Sequence, residues 1–269
     1  MNQMDLTDLQ FQKISRIIYD ICGINLKEGK EALVRSRLLK RLRTLGVNSF
    51  GDYLTLLEGR EAALEIPHLV DVITTNKTGF FREDDHFAFL QTEVLPQIRN
   101  NRVRIWSAAC SSGEEPYTMA MVLKESFTGL DRRDVRILAT DISSRMIERA
   151  KKGIYAADAV RDVPQSYLGR YFLRVRWKDE VCYQIQESLR SMIAFARLNL
   201  MEPWPMKGPF DVIFCRNVMI YFDRATQEKL VNRFWDLLAS GGYLFVGHSE
   251  GLSGVSHQFR HIRPAIYRK

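Results

Sequence analysis

Hydrophobic positions change their period along the chain. Ile14, Ile17, Ile18 and Ile21 stand at i, i+3, i+4 and i+7, and Val34, Leu38, Leu42 and Leu45 repeat that stripe before Gly46, a helix stop. The pattern predicts an all-helical unit of two to four short helices over residues 1–72.

From about residue 102 short apolar runs rich in β-branched and aromatic residues alternate with helical stretches, the pattern of a mostly parallel sheet with crossover helices. Strands are predicted near 102–108, 135–140, 193–199, 211–215 and 242–247, with a closing hairpin within 257–268. Pro264 interrupts that hairpin and argues against its second strand. Residues 153–192 are too long for one crossover. Within them "YFLRVR" and "VCYQIQ" flank the polar "WKDE" and predict an antiparallel hairpin, a small insertion beside the main sheet. The organisation expected is a helical domain 1–72, a linker 73–85 that contributes to a ligand site, and an α/β domain 86–269 carrying the 153–192 insertion.

Composition narrows the classes. With 269 residues and 46% apolar content the chain can bury a core in each of two domains. The net charge of +7 points to an acidic partner of unspecified kind. That charge is concentrated: Lys30, Arg35, Arg37, Lys40, Arg41 and Arg43 face Glu31 alone in the second helical stripe. Cys22, Cys110, Cys182 and Cys215 are far apart in sequence and suggest neither a disulfide framework nor a metal site. There is no apolar leader and no apolar run approaching about 18 residues, so a cytoplasmic protein without membrane insertion is expected. Nothing in the pattern demands an oligomer, and a monomer is expected.

The stretch "RIWSAACSSGEEPYTMA" (104–120) has the strand, small-residue loop and helix of a nucleotide-binding turn, yet carries neither G-x-G-x-x-G nor a P-loop. Glu114 and Glu115 at the helix start would repel a phosphate placed there. A ligand without phosphate and with positive charge fits, as S-adenosylmethionine does. Asp141, ending "VRILATD", is placed to accept from ribose hydroxyls. The bland alternative makes Glu114 and Glu115 ordinary first-turn residues and Asp141 a helix N-cap. In "FDVIFCRNVMIYF" (210–222), Arg216 and Asn217 fall at a strand end, where ligands sit in such sheets. Val218, Met219 and Ile220 replace the Pro-Pro-aromatic run expected of enzymes that methylate base nitrogens. The segment "TTNKTGFFR" (74–82), with Phe80, Phe81 and Arg82, reads either as a solvated linker or as a flap packed over the ligand.

Four stretches, "TTNKTGFFR", "WSAACSSGEEPY", "FCRNVMIYFD" and "GHSE", in this order, make the chain resemble the CheR family of chemoreceptor glutamate O-methyltransferases over nearly its whole length. The resemblance implies a class I SAM-dependent methyltransferase fold, Rossmann-like, with a small antiparallel β-subdomain and an all-helical N-terminal domain. It places Asn76, Thr78, Arg82, Glu115, Asp141, Asn199, Leu200, Arg216 and Asn217 around the cofactor, and Arg82 and Tyr221 nearest the transferred methyl. The basic helix, through Arg37, Lys40, Arg41 and Arg43, would dock on the receptor's methylation helices. S-adenosylhomocysteine would be the product, with no metal and no nucleic-acid partner. Family members that grip a receptor C-terminal peptide carry glycines near the inserted hairpin turn, where this chain has Trp177, Lys178, Asp179 and Glu180. The rival readings are a nucleic-acid methyltransferase and a SAM-binding regulator without catalysis.

Overall fold

The computed structural model describes residues 5–99, 101–127 and 133–269; the first four residues of the expected helical domain lie outside them. Four helices form the N-terminal unit: α1 (Asp8–Cys22), α2 (Glu31–Leu45), α3 (Phe50–Glu58) and α4 (Ala62–Ile73). Ile14 and Ile18 of α1 meet Leu38 and Leu42 of α2, Tyr53 of α3 and Leu69 of α4 in one core, so both stripes read from the sequence are buried. Thr7 opens α1 with a reciprocal capping box to Gln10.

One charged pair is built into this core. Glu65 on α4 is only 4% exposed. It takes both ends of the Arg41 guanidinium, at 3.0 and 2.6 Å, and the Tyr53 hydroxyl at 2.8 Å. Burial alone would raise the Glu65 carboxyl; the Arg41 and Tyr53 hydrogen bonds override it and hold it below the usual range. Arg41 is therefore a tie between helices and is removed from the expected docking set. Arg37 is also engaged, donating to the Ile73 carbonyl and, at 2.8 Å, to Thr75 Oγ1. Lys40 and Arg43 are exposed.

After α5 (Asp84–Phe89) the chain builds the α/β domain. Its strands are β1 (Arg102–Ala108), β2 (Asp134–Asp141), β6 (Ile193–Arg197), β7 (Phe210–Cys215), β8 (Leu238–Val246), β9 (Arg260–Arg263) and β10 (Ile266–Arg268). They pair in the order β6-β2-β1-β7-β8-β10-β9, parallel from β6 to β8 and antiparallel at the β8-β10-β9 end. Helices α6 (Glu114–Ser126), α7 (Ser144–Lys152) and α8 (Arg224–Leu237) serve as crossovers. This is the fold of a class I SAM-dependent methyltransferase. The central strands are apolar on both faces because helices cover both. Strand β10 forms despite Pro264, because the proline falls between β9 and β10, where no ladder N–H is needed.

The 153–192 insertion contributes a second sheet, β3-β5-β4, made of β3 (Ile154–Ala156), β4 (Phe172–Trp177) and β5 (Glu180–Ile185). The expected hairpin is present, with a tighter turn: Trp177 pairs with Glu180, leaving only Lys178 and Asp179 in the loop, both at positive φ.

Candidate active site

The carboxyl ends of β1, β2 and β7 open into a cavity of about 540 Å³. Asn76, Thr78, Arg82, Glu115, Asp141, Asn199, Leu200, Arg216, Asn217 and Tyr221 all line it, so every residue placed around cofactor and methyl by the sequence is brought to one place. Arg37 reaches its wall; Lys40, Arg41 and Arg43 do not.

The turn after β1 sets the first wall. Gly113 caps α6 at φ +98, and a Cβ there would lie 2.8 Å from Ala150 Cβ, so neither the backbone angle nor the packing admits a side chain. The turn thus brings α6 close against α7. Glu115 then accepts from Ser107 Oγ at 2.7 Å. Glu114 turns to Ser112 and does not line the cavity, so of the two acids only Glu115 faces it. Across the floor, Asp141 accepts from the Ser111 N–H at 2.8 Å and the Ser143 N–H at 2.9 Å. Burial pushes its carboxyl up, and those N–H groups pull it back. The Ser143 hydroxyl, not Asp141, caps the following helix, accepting from the Met146 N–H.

Arg216 organises the second wall and is nearly fully buried. Its Nε donates to Glu115 at 2.7 Å, its Nη1 to Glu83 at 3.2 Å and to His86 Nδ1 at 3.1 Å, and its Nη2 to the Arg82 carbonyl at 2.8 Å. A guanidinium has five N–H donors, so one on Nη2 is left for a ligand. Because Arg216 can only donate, His86 Nδ1 must accept, and the His86 proton sits on Nε2. Burial, and then the neighbouring Arg216 cation, push His86 down to about 4. Glu83, His86 and His248 bring possible metal-ligating atoms within 4.8 Å of one another, but the Arg216 cation already stands on two of these side chains. His248 itself is half exposed and pairs with Asp85 at 3.0 Å, outside the cavity.

The 74–82 segment is not a solvated linker: Thr74–Thr78 and Arg82 line the cavity and Phe80 is buried. Phe80 packs edge-on against Tyr155 and Phe172, and Phe81 against Phe87 and Tyr167, all in the α/β core. These rings anchor a strap whose polar residues Asn76, Thr78 and Arg82 face the cavity. Arg82 donates to the Lys77 carbonyl at 2.7 Å, while the adjacent Glu83, at φ +56, is turned to Arg216.

The third wall, the loop between α1 and α2, had no signal in the sequence. Asn25, Leu26, Lys27 and Lys30 close the cavity from the helical domain. The Asn25 N–H donates to the Tyr221 carbonyl at 2.8 Å, Asn199 Nδ2 to the Ile21 carbonyl at 2.6 Å, and the Tyr19 hydroxyl to Asp223 at 2.6 Å. Asn199 is thus a bridge between domains as well as a lining residue.

Residues 76–267 match the CheR methyltransferase SAM binding domain, and residues 9–74 match the CheR methyltransferase all-alpha domain. The chain belongs to the CheR family. A chemotaxis protein methyltransferase of Borreliella burgdorferi is 42% identical over 99% of this chain and 96% of its own. That of Escherichia coli is 40% identical over 98% and 92%, and that of Klebsiella aerogenes 41% identical over 96% and 88%. S-adenosylmethionine is accordingly the methyl donor of this CheR chain. The cavity holds residues that could bind it: the buried Asp141 carboxylate at the end of β2, the Glu115 carboxylate, and the apolar side chains of Ile142 and Leu200.

Replacing Asp141 by alanine is expected to weaken S-adenosylmethionine and S-adenosylhomocysteine alike. The shared ribose loses a charged acceptor worth about 1.5–3 kcal/mol, roughly 10- to 150-fold in affinity. Calorimetry with both ligands measures this; unchanged affinity for both removes Asp141 from the ribose site.

Proposed function

We propose that this chain transfers the methyl of S-adenosylmethionine to glutamate side chains of chemoreceptors, with Arg82 and Tyr221 at the reacting atoms. The observation that carries the reading is that both line the same cavity as Glu115 and Asp141. The Tyr221 hydroxyl takes no hydrogen-bond partner among the described residues, and only Arg82 Nη1 has one, so both side chains keep donors for an acceptor.

The cofactor supplies a methyl carbon already activated by its sulfonium. A glutamate carboxylate, with a reference pKa of about 4.3, is ionised at neutral pH, so no base is needed. An oxygen–carbon bond forms as the carbon–sulfur bond breaks, and the electron pair stays on sulfur, giving a methyl ester and S-adenosylhomocysteine with no proton moved. The residues must hold the reacting atoms near 3–3.5 Å in line and keep water out. The Arg82 guanidinium fixes the plane of the carboxylate, and Tyr221 donates to it and walls the methyl path. Neither duty calls for a metal.

Lys27, Lys30 and Arg37 at the cavity wall, continued along α2 by Lys40 and Arg43, form a cationic approach suited to an acidic receptor helix. Arg41 is excluded because Glu65 already holds it. Lys40→Glu with Arg43→Glu is expected to slow receptor methylation and raise the KM for receptor while S-adenosylhomocysteine affinity holds. The wild-type rate should fall with added salt, since exposed charges are screened over about 8–10 Å. Normal methylation by this variant at low salt would place docking elsewhere. Labelled cofactor offered with receptor cytoplasmic fragments, duplex DNA and total RNA tests the whole reading: label on receptor glutamates supports it, and label on either nucleic acid, or on nothing, overturns it.

A further inference from the structure

The stretch Gly247–Glu250 is one of the four that mark the family resemblance, yet none of its residues lines the cavity. Glu250 is 5% exposed, and no cation faces its carboxylate among the described residues. Instead it accepts backbone N–H groups: Oε2 from Asn217 at 2.5 Å and Gly247 at 2.7 Å, and Oε1 from Ile220 at 3.1 Å. One side chain thereby ties both ends of the turn 217–220 to the end of β8. Asn217 sits at φ +58, in the left-handed region that asparagine enters more readily than other side-chain-bearing residues. Gly247 permits the approach, since a Cβ there would lie 2.5 Å from Asn217 Nδ2 and 2.9 Å from the Asn217 nitrogen.

The residue that follows this turn is Tyr221. Burying an unpaired carboxylate is costly, and a neutral glutamine has only one acceptor oxygen for the three donors. We infer that Glu250, seated through Gly247, is a positioning residue for methyl transfer: it fixes the turn that delivers Tyr221 to the acceptor side of the cavity. The inference rests on the proposed role of Tyr221.

Five proteins test it: wild type, Glu250→Ala, Glu250→Gln, Tyr221→Phe, and Tyr221→Phe combined with Glu250→Ala. Glu250→Ala is expected to lower turnover roughly 10- to 100-fold, the size of effect a misplacement of about 1 Å produces, with a smaller loss of S-adenosylhomocysteine affinity. Glu250→Gln, keeping one acceptor, should fall between alanine and wild type. Tyr221→Phe should cost less in the Glu250→Ala background than in wild type, because groups acting through one another are not additive. Turnover unchanged in Glu250→Ala, turnover and affinity falling by the same factor, or an additive double variant each overturns the inference. If Glu250→Ala does not fold, Gly247→Ala, which displaces Asn217 directly, must show the same excess of turnover loss over affinity loss, and its absence overturns the inference. A fully active Tyr221→Phe single variant overturns the Tyr221 assignment itself, whatever Glu250→Ala does.

Discussion

Replacing Arg216 by methionine is expected to be the most damaging single change in the cavity. Methionine keeps much of the side-chain volume but leaves Glu115 and Glu83, both largely buried, without their shared cation. Removing one partner of a buried charge pair costs roughly 3–5 kcal/mol, and for a domain of this size that lowers the melting temperature by something on the order of 10 °C. A second loss accompanies the first. Arg216 Nη2 holds the Arg82 carbonyl, so the strap carrying Asn76, Thr78 and Arg82 loses one of its ties to the sheet edge, although Phe80, Phe81 and the Ser111 hydroxyl still hold it. S-adenosylhomocysteine affinity should therefore fall by roughly 100-fold or more, beyond what a single lost ligand contact explains. Thermal melts and calorimetry measure the two effects. A variant that melts and binds as wild type would show that the ion network is not what shapes the cavity.

Arg82→Ala and Tyr221→Phe are expected to separate chemistry from binding. Arg82 has one bond to the Lys77 carbonyl and its remaining donors directed to no described residue, so losing its side chain should leave the strap in place while removing the clamp on the acceptor carboxylate. Turnover should fall about 100-fold for Arg82→Ala and roughly tenfold for Tyr221→Phe. S-adenosylhomocysteine lacks the methyl, so its affinity should change far less in both. Initial rates at saturating receptor, set beside calorimetric affinities, give the two ratios; equal losses would reassign both residues to cofactor binding.

Periodicity carries the fold to within a few residues where side chains alone decide it. The run predicted over 135–140 is strand Asp134–Asp141, and the stripes of the first two helices form the helical core. Strand β8 starts at Leu238, four residues before the run expected at 242, because Ala239, Ser240 and Gly241 have no strand preference of their own and are held by their neighbours. Part of the cavity was legible for a similar reason: Asp141, Arg216 and Asn217 fall at strand ends that follow from the sheet, whereas Asn76, Thr78, Asn199 and Leu200 were implied by the family resemblance. What could not be read lies between elements distant in sequence. Arg41 reads as one charge of a docking cluster because Glu65 is 24 residues away on another helix. Glu83 is next to Arg82 in sequence, but its left-handed backbone turns it to Arg216. His86 is an unremarkable residue in a polar stretch until folding sets it beside that guanidinium.

The loop between α1 and α2 changes what the N-terminal helices are for. Through Asn25 on Tyr221, Ile21 on Asn199 and Tyr19 on Asp223, they close one wall of the cavity as well as carrying the proposed docking surface. A chimaera that grafts another relative's helical domain onto this α/β domain would exchange one wall of the cavity in the same step. Two of the three seam contacts use backbone groups of the helical domain, so the Tyr19–Asp223 pair is the one whose side chains such a graft must match.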